Sequence, residues 1–136
     1  MGLVFAVPAG AVTGGAATTA AAPETVLPGS GGLVFGPMRR AGATWYGPTL
    51  YGNSTACGQV LRPKTVGVAH RTLPCGTAVK FVYEGRVLVT RVIDRGPYSK
   101  GKAWDLTNGA REILGFEGVD KVGYAIATSY TRSPQP

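Results

Sequence analysis

Two carboxylates, Asp94 and Asp105, stand at the ends of two apolar, strand-like runs in the segment 92–107, which reads VIDRGPYSKGKAWDLT. Acid–base chemistry on a sugar or an acyl group needs a positioned side chain that holds and releases a proton, usually His, Asp or Glu. The chain has seven Asp and Glu residues and one histidine, His70. The remaining carboxylates from residue 41 onward are expected at a hairpin tip, on a helix face or in a polar loop, namely Glu84, Glu112, Glu117 and Asp120. Elimination therefore leaves Asp94, Asp105 and His70 as the acid–base candidates.

Each candidate also has a purely structural interpretation. Asp105 lies just before an expected helix, whose dipole would favour the ionised carboxylate, but an Asp at this position also serves as an accessory cap. Asp94 precedes Arg95-Gly96-Pro97, where its side chain can fold back onto the backbone or pair with Arg95. A lone histidine at a strand end, such as His70, is more often a hydrogen-bonded structural residue than a base.

Aromatic residues cluster around the same segments. Flat rings with polar tips stack on sugar faces as readily as they fill cores, and at least one of Trp45 and Trp104 is expected in the core. Interleaved cations could also let the rings stack nucleobases, but no recognised nucleic-acid motif is present and no nucleic-acid partner is expected. The rings in question are Trp45, Tyr46, Tyr51, Tyr98 and Trp104, and the nearby cations are Arg95, Lys100 and Lys102.

Short strands are the elements expected to position these residues. From Ala43 onward, β-branched and aromatic runs alternate with Gly and Pro. Residues 77–83 and 86–93 flank Glu84-Gly85 and predict a hairpin with a two-residue turn, and 122–127 predicts a last strand. The one helix predicted covers 108–114, with Thr107 as N-cap and Gly115 as left-handed C-cap. This pattern predicts an all-β fold, a small closed β-barrel with one short helix.

Composition limits the chain to one domain, since 136 residues is an ordinary domain length. Residues 1–38 carry Glu24 as their only charge and have no periodic apolar stripe, so 1–40 is predicted to be a disordered leader, 41–130 the barrel and 131–136 a polar tail. Ala20-Ala21-Ala22 resembles a signal-peptidase site without the basic region of a secretory signal, and no membrane span is expected. All fourteen Lys and Arg lie from Arg39 onward, which favours an anionic partner surface.

Two cysteines, Cys57 and Cys75, lie in short glycine-flanked segments. Their spacing suits a disulfide that closes a loop of fewer than twenty residues and contributes about 3 kcal/mol. Such a bond would indicate an oxidising compartment. A pair of buried free thiols is the alternative, whereas a closed zinc site would need a fourth ligand that two Cys and one His do not supply.

Taken together, these motifs resemble the RlpA-like double-psi β-barrel family over roughly residues 42–128. The elements that carry the resemblance are ATWYGP at 43–48, TACG at 55–58, AHRTLPCGT at 69–77, VIDRGPY at 92–98 and WDLT at 104–107. The resemblance implies a six-stranded barrel with a groove, in extracytoplasmic bacterial cell-envelope proteins that act on peptidoglycan. Some members are lytic transglycosylases, which cut the glycan between N-acetylmuramic acid and N-acetylglucosamine without water and leave 1,6-anhydro ends.

By motif position, the resemblance implies that Asp105 is the acid/base, that His70 assists or orients the substrate, and that Asp94 holds the groove or stabilises developing positive charge. Two positions depart from the family: Gln59 stands where RlpA enzymes carry Glu, and Arg62 where they carry Asp. The alternative is a non-catalytic, expansin-like wall-binding module. No metal or organic cofactor is implied, and a monomer is expected. The predicted substrate-binding residues are Trp45, Tyr46, Tyr51, Gln59, Arg95, Tyr98, Lys102 and Trp104.

Overall fold

The computed structural model describes residues 24–26 and 32–130. These residues form short strands, a brief 3-10 turn and one two-turn helix. In chain order the elements are β1 (Glu24–Val26), β2 (Leu33–Phe35), β3 (Arg39–Tyr46), the 3-10 turn (Pro48–Leu50), β4 (Val68–Ala69), β5 (Ala78–Tyr83), β6 (Arg86–Asp94), β7 (Lys102–Thr107), α1 (Asn108–Leu114) and β8 (Asp120–Tyr130). Within the described ranges, no helix has the length and apolar character needed to cross a membrane.

Six of the strands close into a barrel. Around the ring, β3 pairs with β8, β8 with β5, β5 with β6, β6 with β4, β4 with β7, and β7 again with β3. The pairs β3·β7 and β4·β6 are parallel, and the other four are antiparallel. Because the barrel is closed, each of its six strands pairs with a neighbour on both sides. The predicted six-stranded barrel with one helix is confirmed.

The predicted hairpin turn and the predicted helix are both confirmed. Glu84 and Gly85 have φ angles of 46° and 80°, as a two-residue hairpin turn requires, and Tyr83 faces Arg86 in the ladder. Helix α1 begins after Thr107, whose Oγ1 accepts a hydrogen bond from the Ala110 N–H. It ends at Gly115, which is left-handed with φ 67°.

The barrel interior and the inner face of α1 form one apolar core. Burying a large apolar side chain contributes roughly 1.5–3 kcal/mol, so this core provides most of the driving force for folding. The rings of Phe81 and Tyr124 pack against Trp104 with centroids 5.0 and 5.2 Å away. The largest fully buried side chains are Trp104, Phe81, Phe116, Leu88, Leu106 and Leu114.

The sheet begins earlier in the chain than the sequence suggested. Strand β3 starts at Arg39, two residues before the predicted boundary. Within the range assigned to the leader, β1 lies parallel to β6 beside 87–89, and β2 lies antiparallel to β8. The remaining leader residues, 1–23 and 27–31, and the tail 131–136 lie outside the described residues, so a disordered leader and a polar tail stay predictions there.

Candidate functional site

The fold brings Asp94 and Asp105 together through strand β4. This two-residue strand lies between β6 and β7, and its Ala69 is in register with Asp94 on one side and with Asp105 on the other. Both aspartates line one open groove of about 420 Å³. The other residues that line it are Thr44, Trp45, Tyr46, Leu50, Arg95, Gly96, Pro97, Tyr98 and Ser99.

Asp105 is the less restrained of the two carboxylates. Its Oδ1 accepts a hydrogen bond from Thr44 Oγ1 at 2.9 Å, because Thr44 is the register partner of Asp105 on the parallel strand β3. Its second oxygen has no hydrogen-bond donor within the described part of the chain. Burial raises the pKa of Asp105 above its usual range; the Thr44 bond opposes this rise and the charge of Asp94 adds to it.

Burial, and not the expected effect of the helix dipole, therefore sets the direction of the pKa shift of Asp105. Burial disfavours the charged form of Asp105 and outweighs the Thr44 hydrogen bond, which stabilises that form. Nor does Asp105 cap the helix, since Thr107 does so. A carboxyl whose pKa is raised in an open groove has the property that a general acid needs.

Asp94 is held by three donors. Its Oδ1 accepts hydrogen bonds from the backbone N–H groups of Ala56 and Arg95, at 2.8 and 2.9 Å, and its Oδ2 accepts one from the Tyr46 hydroxyl at 3.1 Å. The fold-back onto the Arg95 backbone matches one of the two structural interpretations from sequence. Burial, followed by the charge of Asp94, raises the pKa of Tyr46 above its usual range, so the tyrosine remains a hydrogen-bond donor.

His70 organises a loop and does not line the groove. Its Nδ1 accepts hydrogen bonds from the backbone N–H groups of Thr72 and Leu73, at 3.2 and 3.1 Å, and its ring packs against Trp104 at 4.7 Å. Burial lowers the pKa of His70, and the nearby guanidinium groups of Arg71 and Arg95 lower it further. The imidazole is thus neutral with its proton on Nε2, so the Nδ1 lone pair is not available as a base.

Two arginines tie the loops beside the groove to each other. The guanidinium of Arg95 donates from Nη1 to the carbonyl oxygens of His70 and Leu73, at 3.1 and 2.7 Å. In the other direction, Arg71 donates from Nη1 to Pro97 O at 3.0 Å and from Nη2 to Lys102 O at 2.8 Å. The guanidinium of Arg95, which was predicted to bind substrate, is therefore hydrogen-bonded to the protein backbone.

A disulfide joins Cys57 to Cys75, with 5.7 Å between their Cα atoms and 18 residues of sequence separation. The predicted disulfide is confirmed, and the free-thiol and zinc alternatives are excluded for this pair. Next to the bond, the Cys57 N–H donates to Ile93 O at 3.1 Å and the Ala56 N–H donates to Asp94. The crosslink therefore fastens the loop that supplies one of the donors to Asp94.

The predicted aromatic ligands separate into two groups. Trp45, Tyr46 and Tyr98 line the groove, and Tyr98 is 77% exposed. Trp45 is half-buried, and the guanidinium of Arg111 lies 4.2 Å from the centre of its ring. Trp104 was predicted to bind substrate, and that prediction is wrong: its side chain is 0% exposed because it fills the barrel core.

Three further residues predicted to bind substrate, Tyr51, Gln59 and Lys102, do not line the groove. The side-chain oxygen of Gln59 accepts a hydrogen bond from Thr55 Oγ1 at 3.0 Å within a local turn. Lys102 contributes its carbonyl to the Arg71 guanidinium. Among the described residues, no group of three His, Cys, Asp or Glu side chains is arranged to hold a metal ion.

Sequence reasoning missed Thr44 and Arg71. Thr44 lies inside the ATWYGP motif, but its bond to Asp105 depends on the register of two parallel strands 61 residues apart. Arg71 directly follows His70, and its position in the AHRTLP motif was the only available signal.

A closed six-stranded mixed barrel with one helix is the architecture of the double-psi β-barrel proteins. The chain belongs to one family of this class: the family model described as lytic transglycolase matches residues 40–125. Solved structures with this fold include a Streptomyces papain inhibitor, at 23% identity, a TM-score of 0.56 and coverage of 70% of this chain and 98% of that one. A mutant Clavibacter michiganensis expansin in complex with cellohexaose has 18% identity and a TM-score of 0.54, and the match covers 74% of this chain and 53% of the expansin.

Curated relatives share more sequence with this chain. A Synechocystis protein named probable endolytic peptidoglycan transglycosylase RlpA is 41% identical over 88 residues, which are 62% of this chain and 27% of the relative. The Yersinia pestis endolytic peptidoglycan transglycosylase RlpA is 40% identical over 82 residues, which are 59% of this chain and 23% of the relative. The chain thus spans about a quarter of the length of these relatives.

Proposed function

We propose that this domain binds peptidoglycan glycan strands in the groove of Asp94 and Asp105 and acts as a lytic transglycosylase. The bond cleaved would join N-acetylmuramic acid to N-acetylglucosamine, and the product would carry a 1,6-anhydro end. The observation that carries the proposal is Asp105, a groove carboxyl with a raised pKa and an oxygen without a donor among the described residues. Membership of the lytic transglycolase family and the names of the curated relatives support the choice of reaction.

A single acid/base group completes this reaction without water. Protonated Asp105 gives its proton to the glycosidic oxygen as the bond from that oxygen to the anomeric carbon breaks. The 6-hydroxyl oxygen of the same sugar then bonds to the anomeric carbon, and its proton passes to the Asp105 carboxylate. The raised pKa favours the protonated form needed for the first step, and the second step regenerates it.

Asp94 has a different role in this proposal. Its three donors use most of its acceptor capacity, which leaves it poorly suited to exchange a proton during the reaction. Its negative charge, which contributes to the raised pKa of Asp105, would stabilise the positive charge that develops at the anomeric carbon. His70 supports the adjoining loop through its Nδ1 and does not exchange the proton.

The second candidate function is a non-catalytic, expansin-like module that binds wall polysaccharide. Gln59 and Arg62 favour it, because the RlpA pattern has carboxylates at both positions and Gln cannot donate and recover a proton. Gln59 is exposed and its side chain is engaged by Thr55, so it does not replace a missing acid in the groove.

An extracytoplasmic location, with peptidoglycan or a related wall glycan as partner, forms part of the same proposal. The Cys57–Cys75 disulfide supports it, since such bonds persist mainly in oxidising compartments. The net charge of +7 suits an acidic wall polymer.

Mass spectrometry of the products released from intact and from peptide-stripped peptidoglycan tests the reaction. The parent protein should release fragments with anhydro ends, and Asp105→Asn should release none. Asp120→Asn is the matched control, because Asp120 also accepts a tyrosine hydrogen bond, from Tyr83 at 2.8 Å, but does not line the groove. Hydrated reducing ends would mean hydrolysis, and binding to sacculi without any product would favour the wall-binding module.

A further inference from the structure

One wall of the groove is the loop of residues 95–101. Five of the groove-lining residues belong to it, including the exposed ring of Tyr98. The backbone hydrogen bond described for residues 97–102 joins two residues of this same segment, from the Lys102 N–H to Ser99 O at 3.3 Å. A wall with so few backbone ties depends on side chains from elsewhere for a fixed position.

Arg71 supplies two such ties. Its guanidinium donates to Pro97 O and to Lys102 O, so one side chain holds the backbone on both sides of Tyr98. The rigid planar fork of Arg allows two carbonyls to be bound at once, which the single ammonium of Lys reproduces poorly. Arg71 is exposed and does not line the groove, so it contributes neither to the core nor to the groove surface.

We propose that Arg71 is a positioning residue for substrate binding, which holds the 95–101 wall so that the ring of Tyr98 is ready to stack on a sugar of the glycan. This inference rests on the proposed function and assigns a role to a residue outside the groove. Because a preorganised wall lowers the entropy lost on binding, Arg71 acts on substrate affinity. Asp105 lies three residues beyond Lys102 on β7, where pairing with Thr44 and Ala69 sets its position, so the chemical step is left unchanged.

Affinity for soluble, peptide-stripped glycan strands is the measurement, made in the Asp105→Asn background so that the strands stay intact. Because a loosened wall must be ordered when the glycan binds, Arg71→Ala should weaken binding by about tenfold, with partial recovery in Arg71→Lys. Arg62→Ala is the charge-matched control, since Arg62 is also exposed and lies outside the groove. In the catalytic background, Arg71→Ala should raise KM and leave kcat within about twofold.

A double-mutant cycle with Tyr98→Ala tests whether Arg71 acts through the wall. Where Tyr98 is already absent, removing Arg71 should weaken binding little further. Hydrogen exchange at the amides of 98–102 should accelerate in Arg71→Ala and not in Arg62→Ala. Additive losses in the cycle, unchanged exchange, or a fall in kcat with constant KM would overturn the positioning role.

The two proposals fail in different ways. Normal binding by Arg71→Ala refutes the positioning role and leaves the glycan-binding function intact. Absence of glycan binding by the Asp105→Asn protein itself, with its Tm retained, refutes the function and the positioning role together.

Discussion

The two groove aspartates should respond in opposite ways to the same substitution. Asp94→Asn should destabilise the protein at neutral pH, whereas Asp105→Asn should stabilise it. The two side chains have the same chemistry and lie in register with the same Ala69, so the difference tests their surroundings.

For Asp94 the loss follows from its hydrogen bonds. Asn can still accept the two backbone N–H bonds with its oxygen and turn its amide toward Tyr46, but none of the bonds is then assisted by charge. The difference between charged and neutral hydrogen bonds is about 1 kcal/mol each. Partial exposure of the site reduces the sum of the three to about 2 kcal/mol. In a domain of roughly 100 residues this loss lowers Tm by roughly 8–16 °C.

For Asp105 the sign follows from its raised pKa. The folded state holds the proton more tightly than the unfolded chain, so the stability that this proton provides is complete below the ordinary pKa of 3.8 and is lost as the pH rises through the folded pKa. The neutral Asn side chain never ionises and can keep the Thr44 bond. The gain from Asp105→Asn should therefore be present at neutral pH and vanish well below pH 3.8.

Thermal unfolding followed by circular dichroism, at about pH 7 and about pH 3, measures both effects. Asp120→Asn is the reference, because Asp120 is an exposed carboxylate outside the groove. Equal destabilisation by Asp94→Asn and Asp105→Asn at both pH values would show that Asp105 is not held in a neutral form by burial. The general-acid role would then lose its physical basis.

Three further outcomes are expected. Replacing both Cys57 and Cys75 with Ser should lower the free energy of unfolding by about 3 kcal/mol, measured by urea denaturation; a midpoint equal to that of the oxidised parent would contradict this. Thr44→Val removes the hydrogen bond that lowers the pKa of Asp105, so the alkaline limb of the transglycosylase pH profile should move to higher pH, and an unmoved limb would argue against Asp105 as the acid. Thr107→Ala should cost about 2–4 kcal/mol, because it removes the helix cap and leaves a second, buried backbone N–H without its acceptor; Thr107→Ser should retain both bonds, and an equal loss there would count against the capping explanation.

Features that depend on neighbouring residues could be predicted from the sequence. The Glu84-Gly85 turn needs two residues that tolerate positive φ, and the helix needs a hydroxyl before it and a glycine after it. These requirements act over a few residues, so residue type alone is informative. Elimination among few carboxylates also led to Asp94 and Asp105, which do line one groove.

Features that depend on long-range pairing could not be predicted in this way. Trp104 and Tyr98 have similar aromatic side chains six residues apart, yet one is 0% and the other 77% exposed. Trp104 lies on a barrel strand and its side chain is directed into the core, whereas Tyr98 lies on a loop. The same holds for the two arginines that exchange hydrogen bonds between loops, since side-chain type does not specify whether a guanidinium binds a ligand or a carbonyl.

The sequence by itself determined the fold class, the turn, the helix and the set of acid–base candidates, because each depends on local residue types and their spacing. Only the tertiary structure distinguishes the surroundings of these candidates. Asp94 accepts hydrogen bonds from donors in three separate segments. Asp105 accepts one hydrogen bond, from a hydroxyl on the neighbouring parallel strand, and is otherwise shielded from solvent by burial. A pKa reflects the solvation and charges around a group, and barrel closure brings those surroundings together from distant parts of the chain.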